Sequence, residues 1–415
     1  MKAWPNIITL TTAVAGLLTL LVVLPGAGFA QVDAAPAPAS AADGPPQVLG
    51  MDFTSYIDIG YVNFTTGNGQ LALATPSGET FAHSRTFDFQ NGVVSIQNLD
   101  LKLDKAPENG FGGRIELTLG KDADTIAAYG TIDKDKGPAA DAEHYYDITQ
   151  LYGFYGVGSA ANVIVGKFVT HHGEEVIRRI DDTNFSSSIL FGFAIPFTHT
   201  GARITYKPAD TLAILVGANE GWDTITDSNG GLTAELGGEW SPSKVFSLMG
   251  TLMSGPQRVF TYPQAAYDAS ETGTRNLIDL IAIYNASDSL NFVLNYDSGS
   301  QDKAPLLNGN TGIASWSGFA LYANYRINDS WRVSARTESF NDSDGYRTTV
   351  EPGKTKGPTW NEGTFTVAYM GIEKLELRGE VRSDNADQKI FMNKDGDKAI
   401  DSQTSIGLEA IYKFF

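Results

Sequence analysis

Between residues 374 and 383 the chain reads KLELRGEVRS, in which Leu375, Leu377, Gly379 and Val381 alternate with Lys374, Glu376, Arg378, Glu380 and Arg382. A period of two puts the two sets on opposite faces of an extended strand. One face is apolar and the other ionic along its whole length. GRIELTLG (113 to 120) sets Ile115, Leu117 and Leu119 against Arg114, Glu116 and Thr118, and LTAELGGEW (232 to 240) sets Leu232, Ala234, Leu236 and Trp240 against Thr233, Glu235 and Glu239. The pattern continues in LNFVLNYD (290 to 297), WRVSARTE (331 to 338) and TSIGLEAIYKF (404 to 414).

Segments of this kind predict strands near 53–63, 92–103, 111–121, 146–156, 161–170, 199–207, 211–221 and 231–240. The second half adds 244–254, 275–286, 289–298, 314–327, 330–340, 361–371, 373–383 and 402–414. That is roughly sixteen, an even number as bacterial single-chain barrels require. Short connections such as KPAD (207 to 210), SPSK (241 to 244), ASDS (286 to 289), ND (328 to 329) and GIEK (371 to 374) hold turn-forming residues. Long ones span 64–91, 122–145, 171–198, 222–230, 255–274, 299–313, 341–360 and 384–401, and short and long alternate strictly. A β-sandwich has no reason to place every long loop at one end. A closed antiparallel transmembrane β-barrel, with tight periplasmic turns and longer outer loops, does.

The beginning of the chain is consistent with that address. Lys2, an apolar run from Ile7 to Leu24 and the small-x-small site Gly28-Phe29-Ala30 describe a secretory signal peptide over 1–30, cut after Ala30; the alternative is an uncleaved anchor, since the run is about long enough to span a bilayer. Residues 31–50 follow as an Ala- and Pro-rich lead-in, and 51–415 as the barrel. No later apolar stretch could form a transmembrane helix, and only helices and closed barrels satisfy backbone groups in lipid. Cysteine is absent, so stability must come from ladders and packing. The net charge of −18, with no basic cluster, excludes nucleic acid as a partner.

Trp222, Trp240, Trp316, Trp331 and Trp360 all fall near predicted strand ends, as interfacial aromatic girdles would place them. The chain stops at Tyr412-Lys413-Phe414-Phe415; Phe414 is in register with the apolar face Ile406, Leu408, Ala410 and Tyr412, which leaves Phe415 as an extra residue.

The segment from Ala161 to Tyr206 is expected to organise the site: a strand, a long loop and a strand back. Loops of such length are usually functional. Its charged half carries His171, His172, Glu174, Glu175, Arg178, Arg179, Asp181 and Asp182, and its apolar half runs from Ile189 to Phe197. An apolar stretch of that kind is expected to fold inward and constrict the barrel. Polar strand faces then form the pore wall, with Arg114, Glu116, Arg203, Arg332, Arg336, Glu338, Lys374, Glu376, Arg378, Glu380 and Arg382 as candidates. Acidic loop and basic wall would set up a transverse field, or the wall charges would simply pair across strands. A barrel of this size leaves an aqueous lumen.

No metal or cofactor is expected. NKDGDKAID (393 to 401) has its Gly396 out of place for an EF-hand and lacks the closing Glu, so it fits a solvated turn better than a calcium loop. His171-His172 beside Glu174 has no spaced partner set for a metal. No nucleophile motif is present, and an enzyme is not expected.

GGRIELTLGKDA (112 to 123), GKFVTHHGEEVI (166 to 177), FTHTGARITY (197 to 206) and ANEGWDTITDSN (218 to 229) together resemble the OmpL-like β-barrel porin family of Gram-negative outer membranes. The resemblance implies a passive channel for ions and small hydrophilic solutes, in contact with outer-membrane lipid and lipopolysaccharide, and by analogy with general porins a homo-oligomer. It brings no catalytic residues. The competing expectation is a barrel with an occluded lumen whose acidic outer loops serve adhesion or surface binding.

Overall fold

The computed structural model describes residues 44–71, 83–88, 90–128, 130, 145–226, 230–259, 272–307, 310–348 and 356–415. The expected leader, 1–30, lies outside them, as does most of the lead-in. One sheet of seventeen strands dominates; less the two-residue pairing of Gln47–Val48, it leaves sixteen. In chain order these are β1 (Met51–Thr66), β2 (Val94–Lys105), β3 (Asn109–Leu119), β4 (Tyr146–Val157), β5 (Ala161–Val169), β6 (Thr198–Ala209), β7 (Leu212–Asn219) and β8 (Thr233–Ser243). The second half holds β9 (Phe246–Arg258), β10 (Thr272–Ser287), β11 (Leu290–Pro305), β12 (Thr311–Asn328), β13 (Trp331–Asn341), β14 (Thr359–Ile372), β15 (Leu375–Ala386) and β16 (Ser402–Lys413). Each pairs antiparallel with the next, and β16 pairs with β1 through Thr404↔Thr66 to Lys413↔Tyr56, so the cylinder has no edge.

Side chains sort by the period of two. Phe365, Val381 and Ile406 sit opposite one another on β14, β15 and β16, all pointing outward, as do Leu294 and Leu321 on β11 and β12. Rows of exposed large apolar residues belong against hydrocarbon. Between them, inward, lie Arg332, Ser334, Arg336 and Glu338 of β13, and Arg378, Glu380, Arg382 and Asp384 of β15.

Three expectations need correction. The connection expected at 299–313 is only 306–310, because β11 and β12 keep pairing beyond a register shift to Pro305↔Thr311. The tryptophans do not all belong to interfacial girdles. Trp240 and Trp331 do lie at the turn end, Trp240 edge-on to Phe246 (6.2 Å between centroids) and Trp331 tilted against Tyr369 (4.8 Å). Trp222, Trp316 and Trp360 are instead buried at the long-loop end, in a cluster that includes the loop residues Ile189 to Phe197. Finally, Phe415 is not surplus, since its ring lies 5.3 Å from that of Phe53.

The inner wall is not uniformly polar. Met253 of β9, Leu277, Ile281 and Ile283 of β10, Val293 of β11, Tyr322 of β12 and Phe340 of β13 all face inward and are buried. Water would leave them exposed; something apolar covers them.

Candidate functional site

That cover is the connection between β5 and β6, residues 170–197. It opens at paired histidines. His199 Nδ1 donates to the Gly221 carbonyl (2.9 Å), so its Nε2 accepts from Thr170 Oγ1 (3.1 Å), and His172 Nδ1 donates in turn to that hydroxyl (3.1 Å). Burial, then the neighbours His199, Arg203 and His171, hold His172 well below the usual imidazole range. His171 is exposed. Among the described residues no group of three or more potential ligands could hold a metal.

The charged half of the loop docks by ion pairs. Glu175 Oε1 meets Arg336 Nη1 at 2.7 Å and accepts from the Tyr322 hydroxyl at 3.2 Å. Arg178 pairs with Asp181 (3.1 Å) and reaches Asp100 (3.5 Å). Arg179 bonds Asp122 (2.8 Å), on the short helix α1 (Lys121–Ile126), and Asp88 (3.3 Å); although burial opposes it, these two acids raise its pKa. Burial and Glu175 raise Asp182, whose Oδ1 accepts from the Val176 amide. Glu174 is half-buried, its amide on Asn295 Oδ1 at 3.3 Å.

From Asp182 to Leu190 the loop backbone itself is held by the wall. Arg378 donates to the carbonyls of Arg179, Asp182 and Asn184, with the shortest contact 2.7 Å. Arg336 donates to Ser186 O at 2.7 Å, and Arg382 to Ser187 O. Glu380 accepts the amides of Phe185 (2.8 Å) and Ser186; Glu338 accepts those of Ile189 (2.8 Å) and Leu190. Wall charges therefore do more than pair across strands or raise a field. They supply the donors and acceptors an irregular backbone loses when it leaves water.

The apolar half fills what remains. Phe185 is wedged on Gly60 of β1 and Gly407 of β16, where a Cβ would come within 2.9 Å and 2.4 Å of its ring. Ile189 to Phe197, with a π-helical turn at Leu190–Ala194, joins the buried wall cluster, and Trp316 Nε1 donates to Ala194 O at 3.0 Å.

The remaining wall candidates lie lower or to the side. Arg114 pairs with Asp104 (2.8 Å), Glu116 accepts from Gln150 (2.7 Å), Arg203 forms a two-pronged pair with Glu235 (2.9 and 3.0 Å), and Arg332 bridges Glu376 (2.7 Å) and Thr183 O. Glu376 also accepts from Arg378 at 2.7 Å. Lys374 is no wall residue: it sits exposed in the turn before β15 with φ 63°, its Nζ toward Phe414 O. The turn at 393–398 is closed by Asn393, whose carboxamide bonds Asp397 and Lys398.

Sequence reasoning missed Glu362, Asp384 and Glu409, which flank Arg336, Arg382 and Arg378 at 3.2, 2.7 and 3.0 Å. The same alternation would have found them, one step further along β14, β15 and β16. Nothing local marks Asp88 or Asp122, which reach Arg179 from other connections.

A closed sixteen-strand antiparallel barrel with alternating short turns and long loops, one of them inside, is the architecture of outer-membrane porins. The sequence matches the family model described as "Putative beta-barrel porin-2, OmpL-like" over residues 50–414, and the chain belongs to that family. No curated protein matches the sequence. Among solved structures it is similar to the outer membrane channel DcaP of Acinetobacter baumannii, with TM-score 0.57 and 14% identity over 89% of this chain and 100% of that one. It is also similar to the trimer form of OmpT of Vibrio cholerae (TM-score 0.56, 11% identity, 88% and 99% covered) and to an anion-selective porin from Comamonas acidovorans (TM-score 0.55, 11% identity, 88% and 99% covered).

Proposed function

We propose that the protein is a passive porin of the outer membrane, a water-filled barrel narrowed by residues 170–197, through which ions and small hydrophilic solutes diffuse. The observation that carries this is the loop's seat on Arg336, Glu338, Arg378, Glu380 and Arg382, which brings ordered backbone across the lumen of a barrel wide enough to conduct. The outward apolar rows fit a lipid and lipopolysaccharide environment, and the leader 1–30 fits export with cleavage. The trimer form of the similar OmpT supports a homo-oligomer. Purified protein in planar bilayers should give discrete conductance steps, and deleting residues 174–195 should enlarge them. Silence at all voltages refutes the channel; unchanged steps after the deletion refute the constriction.

A further inference from the structure

We propose that the outer mouth holds a binding site for a small oxyanion-bearing solute, formed by Arg275 and Arg347 against Trp222, Trp316 and Tyr346. The proposal rests on the porin reading for its orientation, since the site lies at the long-loop end of the barrel. Arg275 projects inward from β10 and places its guanidinium carbon 4.7 Å from the Trp222 ring centre and 5.9 Å from that of Tyr346. Arg347, from the connection 342–358, places its own 5.3 Å from Trp222 and 5.4 Å from Trp316. Trp222 and Trp316 meet edge-on at 6.1 Å, and Trp316 and Tyr346 stack at 6.1 Å.

Two guanidinium groups thus share one indole, and neither forms an ion pair among the described residues. The wall arginines discussed above all do. Arg275 Nε donates to Gln301 Oε1 (2.7 Å) and Nη2 to the Tyr346 hydroxyl (3.2 Å); Arg347 Nε donates to Phe193 O, and its two terminal amino groups have no partner among the described residues. The nearby acids are engaged elsewhere. Asp342 accepts the amides of Tyr346, Arg347 and Thr348, and Asp223 those of Phe197 and Thr198. Burial and the charge of Arg275 lower Arg347 to about 10, which leaves Arg347 charged at neutral pH. Asp342 and Asp223 offset part of the charge on Arg347, but like charges held together without an ion pair are costly, and a planar carboxylate or a phosphate oxygen face matches the arginine fork. Aromatic walls exclude water and strengthen that attraction.

The test is tryptophan fluorescence of the intact, detergent-folded protein, which needs no conduction. Succinate and inorganic phosphate probe the two oxyanion types; glucose and matched sodium chloride are the controls. Saturable quenching by either oxyanion but not by the controls is expected. Trp222→Phe should remove it, Trp331→Phe should not, and Arg275→Gln or Arg347→Gln should weaken it about tenfold. A response that follows ionic strength alone, or that survives both arginine substitutions in protein with native β circular dichroism, overturns the site. Conducting protein that fails this titration refutes the site while sparing the porin reading, and binding without conduction does the reverse.

Discussion

Arg336 grips the loop through both an acidic side chain and a backbone carbonyl, so its removal is a sharp test of the seat. It is fully buried, holds Glu175 at 2.7 Å and Glu362 at 3.2 Å, lies 3.5 Å from Glu338, and donates to Ser186 O. Arg336→Met keeps the volume but leaves three acids around an uncharged thioether. Breaking a buried pair by deleting one member costs about 3–5 kcal/mol. Applied to the seated and released states of the loop, that shifts their ratio by roughly two to four orders of magnitude. The β13 ladder uses backbone atoms alone, so the barrel itself should persist. Unitary conductance in planar bilayers should rise, and trypsin should cut after Arg178 or Arg179, which the seated loop protects. Adding Glu175→Gln to the same chain should recover part of the effect, because one stranded charge is gone. Native conductance and native protease resistance in a folded Arg336→Met barrel would refute the claim that these bonds hold the loop.

Gly407→Ala should displace the loop as well, since its Cβ meets the Phe185 ring at 2.4 Å; combining it with Phe185→Leu should return conductance toward the native step. Leu408→Arg puts a charge on an exposed outward position of β16 and should cost up to about 2–4 kcal/mol in a denaturant titration of folding into vesicles, whereas an equal loss in detergent would argue against a lipid-facing row. The loop base should respond to acid in one direction. His172 has its pKa lowered by burial, so its neutral form is favoured when folded; the stability this gives is present above the ordinary imidazole value and is lost as pH falls through the lowered one. Protease resistance at Arg178 and Arg179 should therefore hold at neutral pH and weaken progressively as the pH falls below the ordinary imidazole value, with His172→Gln removing that dependence.

The strand order was legible because it is local. Each of the sixteen strands carries its own alternation, and the sheet needs only neighbours in sequence plus one closing pair between β16 and β1. The orientation of Arg332, Arg336, Arg378 and Arg382 followed from the same period and needed no tertiary knowledge. What they bind did not follow. Pairing across strands is written in the pattern, as for Arg203 with Glu235, but a guanidinium that grips loop carbonyls has the same signature as one facing water. Phe185 shows the difference most clearly: nothing around it in sequence says that Gly60 and Gly407, on the two strands that close the barrel, leave a socket for its ring.

The tryptophans failed as a girdle for a related reason. A residue near the long-loop end of a strand can point outward to the lipid interface or inward to the mouth, and a shift of one position decides which. Trp240 and Trp331 take the outward phase at the turn end; Trp316 and Trp360 take the inward phase at the other, where the loop's apolar half needs a partner. The inward ones are what let an irregular segment remain inside a polar lumen, since they cover Phe193 and Ala194 where the charged wall gives out. The loop is thus held by two different surfaces, hydrogen-bonding arginines and glutamates under its backbone and aromatic rings over its apolar end. Loss of the first should free the middle of the loop while the second still tethers its C-terminal end. An Arg336→Met channel should therefore flicker between narrow and wide levels rather than open fully, and full opening should require Trp316→Ala as well.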